Sequence, residues 1–153
     1  MAAEQDRLEI LVEIWEWAKK KLTTEEIKNK LLLATNNEGE TVFHEVAKFE
    51  ELQMLQILWK LANETLTTEE VKNSLLLATD DKGRTVFHMA AEHGRLRILK
   101  KVWEWANKQP TTEEVNKKLL LATDDKGRTV FHIAALQERL EKLKKVWEWL
   151  TRN

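Results

Sequence analysis

A four-residue string, Thr-Val-Phe-His, stands at Thr41–His44, Thr85–His88 and Thr129–His132, 44 residues apart each time. Around the last two copies the identity widens to fourteen residues, Leu75–His88 and Leu119–His132. A fixed period of this size constrains a chain more than any local pattern does. Each copy is one supersecondary unit whose apolar face must be buried against the next. The flanks keep the same phase, since Leu8–Thr35 lines up with Leu96–Thr123, 88 residues later. The 153 residues therefore divide into a partial unit over 1–35, full units over 36–79 and 80–123, and a closing partial unit over 124–153. The partial units are expected to cap a single repeat domain.

Within a unit the spacing predicts three helices and no strand. Thr85 is placed to accept a bond from the free amides of a first turn, and it opens a short helix, Val86–His93. Gly94 suits the turn after it, and Glu50 and Glu138 stand at the matching place in the other copies. A second helix is expected over Arg95–Lys108. At 100° per residue, Leu96, Ile98, Leu99, Val102, Trp103, Trp105 and Ala106 cover about half its circumference, wider than a surface helix usually buries. Trp103 and Trp105 fall near the edges of that arc, one for each neighbour. The third helix starts at a capping box, Thr23 with Glu26, Thr67 with Glu70 and Thr111 with Glu114. Leu22 with Ile27 and Leu66 with Val71 fit the accompanying hydrophobic staple, and Pro110 replaces the leucine in the last copy. A polar turn containing Gly39, Gly83 or Gly127 then leads into the next Thr-Val-Phe-His.

Composition removes several classes of function. The chain is 42% hydrophobic and 33% charged with a net charge of −1, a globular balance with no overall pull toward nucleic acid or an acidic membrane. The charge is uneven: residues 1–64 hold 8 Lys/Arg and 13 Asp/Glu, a net of −5, and residues 65–153 hold 17 and 13, a net of +4. That contrast could steer molecules head to tail. No cysteine is present, so disulfides, thiolate nucleophiles and Cys-type zinc sites are excluded. No signal-peptide pattern and no apolar run of membrane length occurs, and the expected location is intracellular, cytoplasmic by default.

The stretch Asp80–Asn107 resembles an ankyrin repeat. Asp80, Gly83, Thr85, His88, Ala90, Ala91, Gly94, Leu96 and Ile98 fall in register with that family's pattern, with Val86 where proline is usual and Phe87 where leucine is usual. The resemblance recurs three times and covers nearly all the chain. It implies an all-α, ankyrin-like helical repeat solenoid, here with three helices per repeat. The departure is length: an ankyrin unit is roughly 33 residues, and the surplus matches the third helix, expected on the outer side of the array against the second.

The polar residues offer little chemistry. His44, His88 and His132 recur one unit apart and cannot converge on one metal ion; the resemblance implies bonds to backbone at the turns. His93 is expected to be exposed near a helix end. The pairs Glu25–Glu26, Glu69–Glu70 and Glu113–Glu114 are explained by capping, Ser74 has no recognisable His and acid around it, and single turn glycines do not cradle phosphate. Helical spacing assigns the tryptophans to the core, with Trp149 the most exposed. Catalytic residues, metal ligands and cofactors are therefore not expected.

What remains is an interaction surface. In ankyrin proteins partners meet the turn tips and the open side of the first helix. Carried over, the tips are Asn37, Glu38, Glu40, Asp81, Lys82, Arg84, Asp125, Lys126 and Arg128, and the helix positions are Lys48, Phe49, Glu92, His93, Leu136 and Gln137. The expected function is a non-enzymatic protein–protein interaction scaffold, with no nucleic acid or membrane partner, as a monomer with weak self-association. Two alternatives stay open: a designed or consensus array without a natural ligand, and a self-associating structural element.

Overall fold

The computed structural model describes residues 2–66, 74–108 and 112–152, with the backbone alone over 2–5, 112–114 and most of 137–150. It is all-α, and no strand occurs among the described residues. The elements in order are α1 Ala2–Lys21, α2 Thr24–Ile27 running into a π-helical stretch Lys28–Leu32, α3 Val42–Lys48 and α4 Leu52–Thr65. Then come α5 at residues 74–77, α6 Val86–Glu92, α7 Leu96–Asn107, α8 Thr112–Leu121 and α9 Val130–Arg152.

Threonine starts the first helices as expected, with a partner that the spacing alone does not assign. The Thr85 hydroxyl accepts from the His88 amide at 3.2 Å, and His88 Nδ1 accepts from the Thr85 amide at 3.2 Å. Histidine thus fills the place that glutamate or glutamine takes in the usual capping box. Thr41 with His44 and Thr129 with His132 repeat the arrangement. Thr23 and Glu26 form the conventional box before α2. The boxes at Thr67–Glu70 and Thr111–Glu114, Val71 and Pro110 lie outside the described residues or side chains.

The third helix departs from expectation in the first unit. The Leu33 amide bonds to the Lys28 carbonyl five residues back at 3.0 Å. The wider turn re-phases the helix, so Leu32 is the most buried of Leu31–Leu33. In α8 the residue equivalent to Leu31, Leu119, is the buried one, and with Val115 it packs α8 onto α7.

The turn after the first helix takes three forms. In the second unit Gly94, at φ 68°, ends α6, and the Arg95 amide reaches back to the Ala90 carbonyl at 2.8 Å. In the first unit Phe49 leaves α3 in extended conformation (φ −110°, ψ 152°) and no glycine is needed. In the third the turn expected at Glu138 is absent, and α9 runs unbroken through it. Without a glycine to take the left-handed conformation, nothing local stops that helix. The consequence is visible at Phe131. Phe43 meets Trp59 of the folded-back α4 edge to face at 6.4 Å, and Phe87 meets Trp103 of α7 at 6.0 Å. Among the described residues no such helix lies over Phe131, which is 81% exposed.

Neighbouring units are joined by first helix to first helix (α3 with α6, α6 with α9) and by second helix to second helix (α4 with α7). At the latter interface Trp59 stacks on Trp105, with ring centroids 4.6 Å apart and planes 9° from parallel. Trp105 thus faces the preceding unit, and Trp103 stacks on Phe87 of its own unit. Leu96, placed in the apolar arc by periodicity, is exposed at the start of α7. The buried residues form one continuous core from Leu8 to Ile133.

Candidate protein-binding face

The turns that open each unit are built by one side chain. Asp80 Oδ1 accepts from the Lys82 and Arg84 amides at 3.0 and 2.9 Å, and Asp124 Oδ1 does the same for Lys126 and Arg128. Asn36 plays this part in the first turn, accepting from the Glu38 and Glu40 amides. A short polar side chain bonding its own backbone two residues on is the reason Asp and Asn favour such turns. A glycine at φ 73–74° comes next in each.

Two bonds then tie every turn to its neighbour. The Asp81 amide donates to the Glu38 carbonyl at 3.0 Å, and the Asp125 amide to the Lys82 carbonyl at 2.8 Å. Beneath them, His44 Nε2 meets the Arg84 carbonyl at 2.9 Å and His88 Nε2 meets the Arg128 carbonyl at 3.2 Å. With Nδ1 accepting from threonine, these partners assign the neutral ring protonated on Nε2. Burial pushes the His44 pKa down, and the Arg84 carbonyl only partly opposes it. His132 lacks a further turn beyond it and is exposed.

The candidate positions divide accordingly. Asn37, Glu38, Asp81, Lys82, Asp125 and Lys126 are exposed at the tips, and the ladder brings them into one row. Phe49, His93 and Leu136 are exposed on the helix side, where His93 Nδ1 also donates to the Met89 carbonyl at 3.0 Å. The side chains of Gln137 and Trp149 lie outside the described residues.

Four of the candidate positions carry ion pairs within the fold. Glu40 is buried and accepts from Lys48 Nζ at 2.7 Å and Asn36 Nδ2 at 3.1 Å. Arg84, at the position 44 residues on, lies on Asp80 at 2.9 Å and on Glu92 at 2.7 Å. The two pairs, Glu40–Lys48 and Arg84–Glu92, are one ion pair with its charges exchanged. Each member looks like an independent surface difference until its partner is counted eight residues away. Burial alone would raise the Glu40 carboxyl, but the Lys48 ammonium and the Asn36 amide outweigh it and hold it at about 2. Arg128 keeps its Asp124 partner at 2.8 Å, but Leu136 stands where a charge would complete the pair. Burial raises and the Arg128 bonds lower the Asp124 carboxyl, with a net downward shift.

Among the described residues no three His, Asp or Glu side chains are placed to hold a metal ion, and no helix is long and apolar enough to cross a membrane.

Compared with protein-family models and with curated proteins, the chain has no match. Its fold is similar to that of a chain in the crystal structure of the yeast ribosomal protein Rps3 in complex with its chaperone Yar1. The TM-score is 0.67 at 16% identity, over 91% of this chain and 81% of that one. At that identity the likeness concerns the fold alone.

Proposed function

We infer that the chain is a non-enzymatic protein-interaction scaffold, built as an ankyrin-like helical solenoid with a third helix in each repeat. The observation that carries this reading is the ladder of turns. Backbone bonds and buried histidines fix the turns against one another, so six exposed tip residues of mixed charge stand in a row on a rigid support. A preorganised row of polar side chains is what a recognition surface needs, because little ordering entropy is then lost on binding. A scaffold needs no catalytic group, and His44, His88 and the buried Glu40, Asp80 and Asp124 carboxylates are engaged in holding turns.

Affinity capture with the intact chain tests this. The control carries Asn37→Ser, Asp81→Ser, Lys82→Ala, Asp125→Ser and Lys126→Ala, all at exposed tips that leave Asn36, Asp80 and Asp124 in place. A protein bound by the intact chain and lost from the control supports the reading. Equal capture by both, or capture by neither, rejects the tips as the binding surface.

A further inference from the structure

The second helices of the units carry an internal standard for what should be covered. In α4 the residues Met54, Leu58 and Leu61 are buried, and in α7 so are their equivalents Ile98, Val102 and Trp105. The same three positions in α1 are Ile10, Ile14 and Trp17, and they are 58%, 48% and 59% exposed. The opposite edge of α1 is covered normally, with Leu8, Trp15 and Ala18 buried. So α1 is half a unit interface with nothing among the described residues upon it. Asp6, Glu9 and Glu13 rim the strip, and with its apolar residues they line a shallow groove of about 560 Å³. Large exposed apolar strips with a polar rim mark contact sites.

The far end of the molecule has the complementary character. Trp147 is equivalent to Trp59 and Trp103 and is 68% exposed. Residues 139–152 around it contain five Lys/Arg and two Asp/Glu. We propose that a second copy of this chain covers α1, head to tail: the C-terminal half of α9 from one molecule lies on the Ile10–Ile14–Trp17 strip of the next, and Trp147 stacks on Trp17. The Trp59–Trp105 stack inside the chain is the template for that contact, because Trp17 is equivalent to Trp105 and Trp147 to Trp59. The basic tail meets the acidic rim, in the sense already set by the net −5 of residues 1–64 and the net +4 of residues 65–153. The interface joins two different surfaces, so growth continues beyond the dimer, into a ring if the rotation closes and a filament if it does not.

The test is sedimentation of the intact chain over a range of concentrations, at low and at high salt. The mass-average is expected to climb past the dimer with concentration and to fall when salt is raised. Trp17→Glu and Trp147→Glu change exposed side chains, so each should keep the helical circular dichroism of the parent. Each should raise the dissociation constant about 30-fold or more, as loss of a central aromatic contact does. Mixed together, the two variants should form a one-to-one dimer, because one retains a sound tail and the other a sound head. A constant monomer mass at low salt overturns the proposal and leaves α1 to a different protein. A discrete dimer that Trp17→Glu abolishes and mixing does not restore also overturns it, in favour of symmetric α1–α1 pairing. None of these outcomes involves the turn tips, so this proposal and the scaffold reading fail separately.

Discussion

Glu40 and Arg84 occupy one turn position with opposite charge, and the fold accepts both because the residue eight positions on changes sign with them. A buried carboxylate is tolerated only when paired, which makes Lys48 the residue on which the first turn depends. With the Glu40 carboxyl at about 2 in the fold and 4.5 as its ordinary value, the sign is fixed. The stabilisation is complete above pH 4.5 and disappears as pH falls toward 2, an effect of about 2–3 kcal/mol. In Lys48→Ala that stability is expected to be missing already at neutral pH, and the slope between pH 4.5 and 2 to be shallower than in the parent. Urea unfolding at several pH values checks this, and parallel slopes in the two proteins would reject the pairing. Glycine supplies a second residue-scale prediction. Gly39 and Gly127 both sit at positive φ, so alanine costs about 1 kcal/mol at either from backbone strain. A Cβ on Gly39 would also run into Asp81 of the next turn, 2.7 Å from its amide nitrogen, whereas Gly127 has open space. Gly39→Ala should therefore cost at least about 2 kcal/mol, and the difference between the two melting curves measures how tightly the turns stack. The turn glycines and the threonine caps are legible in the sequence because each acts within a few residues. The charge-exchanged pairs are not, since nothing in a single residue's identity reveals a partner two turns of helix away.

At the scale of the element, helical phase reads out well wherever the apolar stripe is long. The period of 44 and the second-helix arc place Ile98, Val102 and Trp105 on a buried face, and they are buried. Prediction from the pattern fails where an element must end. Glu50 and Glu138 stand at the same place, yet the chain turns at one and runs straight through the other. The turn in the first unit is set by the helix beyond it, because α4 folds back and brings Trp59 over Phe43. In the third unit local preference prevails and α9 is continuous. Helix content at 138 then costs whatever residue is put there its intrinsic propensity. Glu138→Gly is expected to destabilise by about 1 kcal/mol and to lower the helical signal. If the variant were instead neutral or more stable, α9 would be turning there as α6 turns at Gly94, and Phe131 would be covered in solution.

At the scale of the whole molecule, the main helix contacts among the described residues run within a unit or between adjacent units, so cooperativity depends on the interfaces more than on any one helix. The interface between the first and second full units joins α3 to α6 and α4 to α7, with the stacked Trp59–Trp105 pair in the latter and His44 on the Arg84 carbonyl at the turns. Removing the stack should do more than weaken the fold. Trp59→Ala is expected to cost about 3–5 kcal/mol, as truncation of a buried aromatic does, and also to uncouple the residues before it from those after it. Unfolding by urea would then broaden, the apparent m-value would fall, and far-ultraviolet circular dichroism and tryptophan fluorescence would cease to report one transition. A simple shift of a still-coincident transition would mean that the turn ladder alone couples the units. The same dependence on neighbours explains why the ends of the molecule are the least legible part of its sequence. An interior unit is over-determined, because its pattern, its caps and two neighbours agree. A terminal unit has the same pattern and one neighbour fewer, so Trp17 and Trp105 share a register position and differ only in what lies across from them.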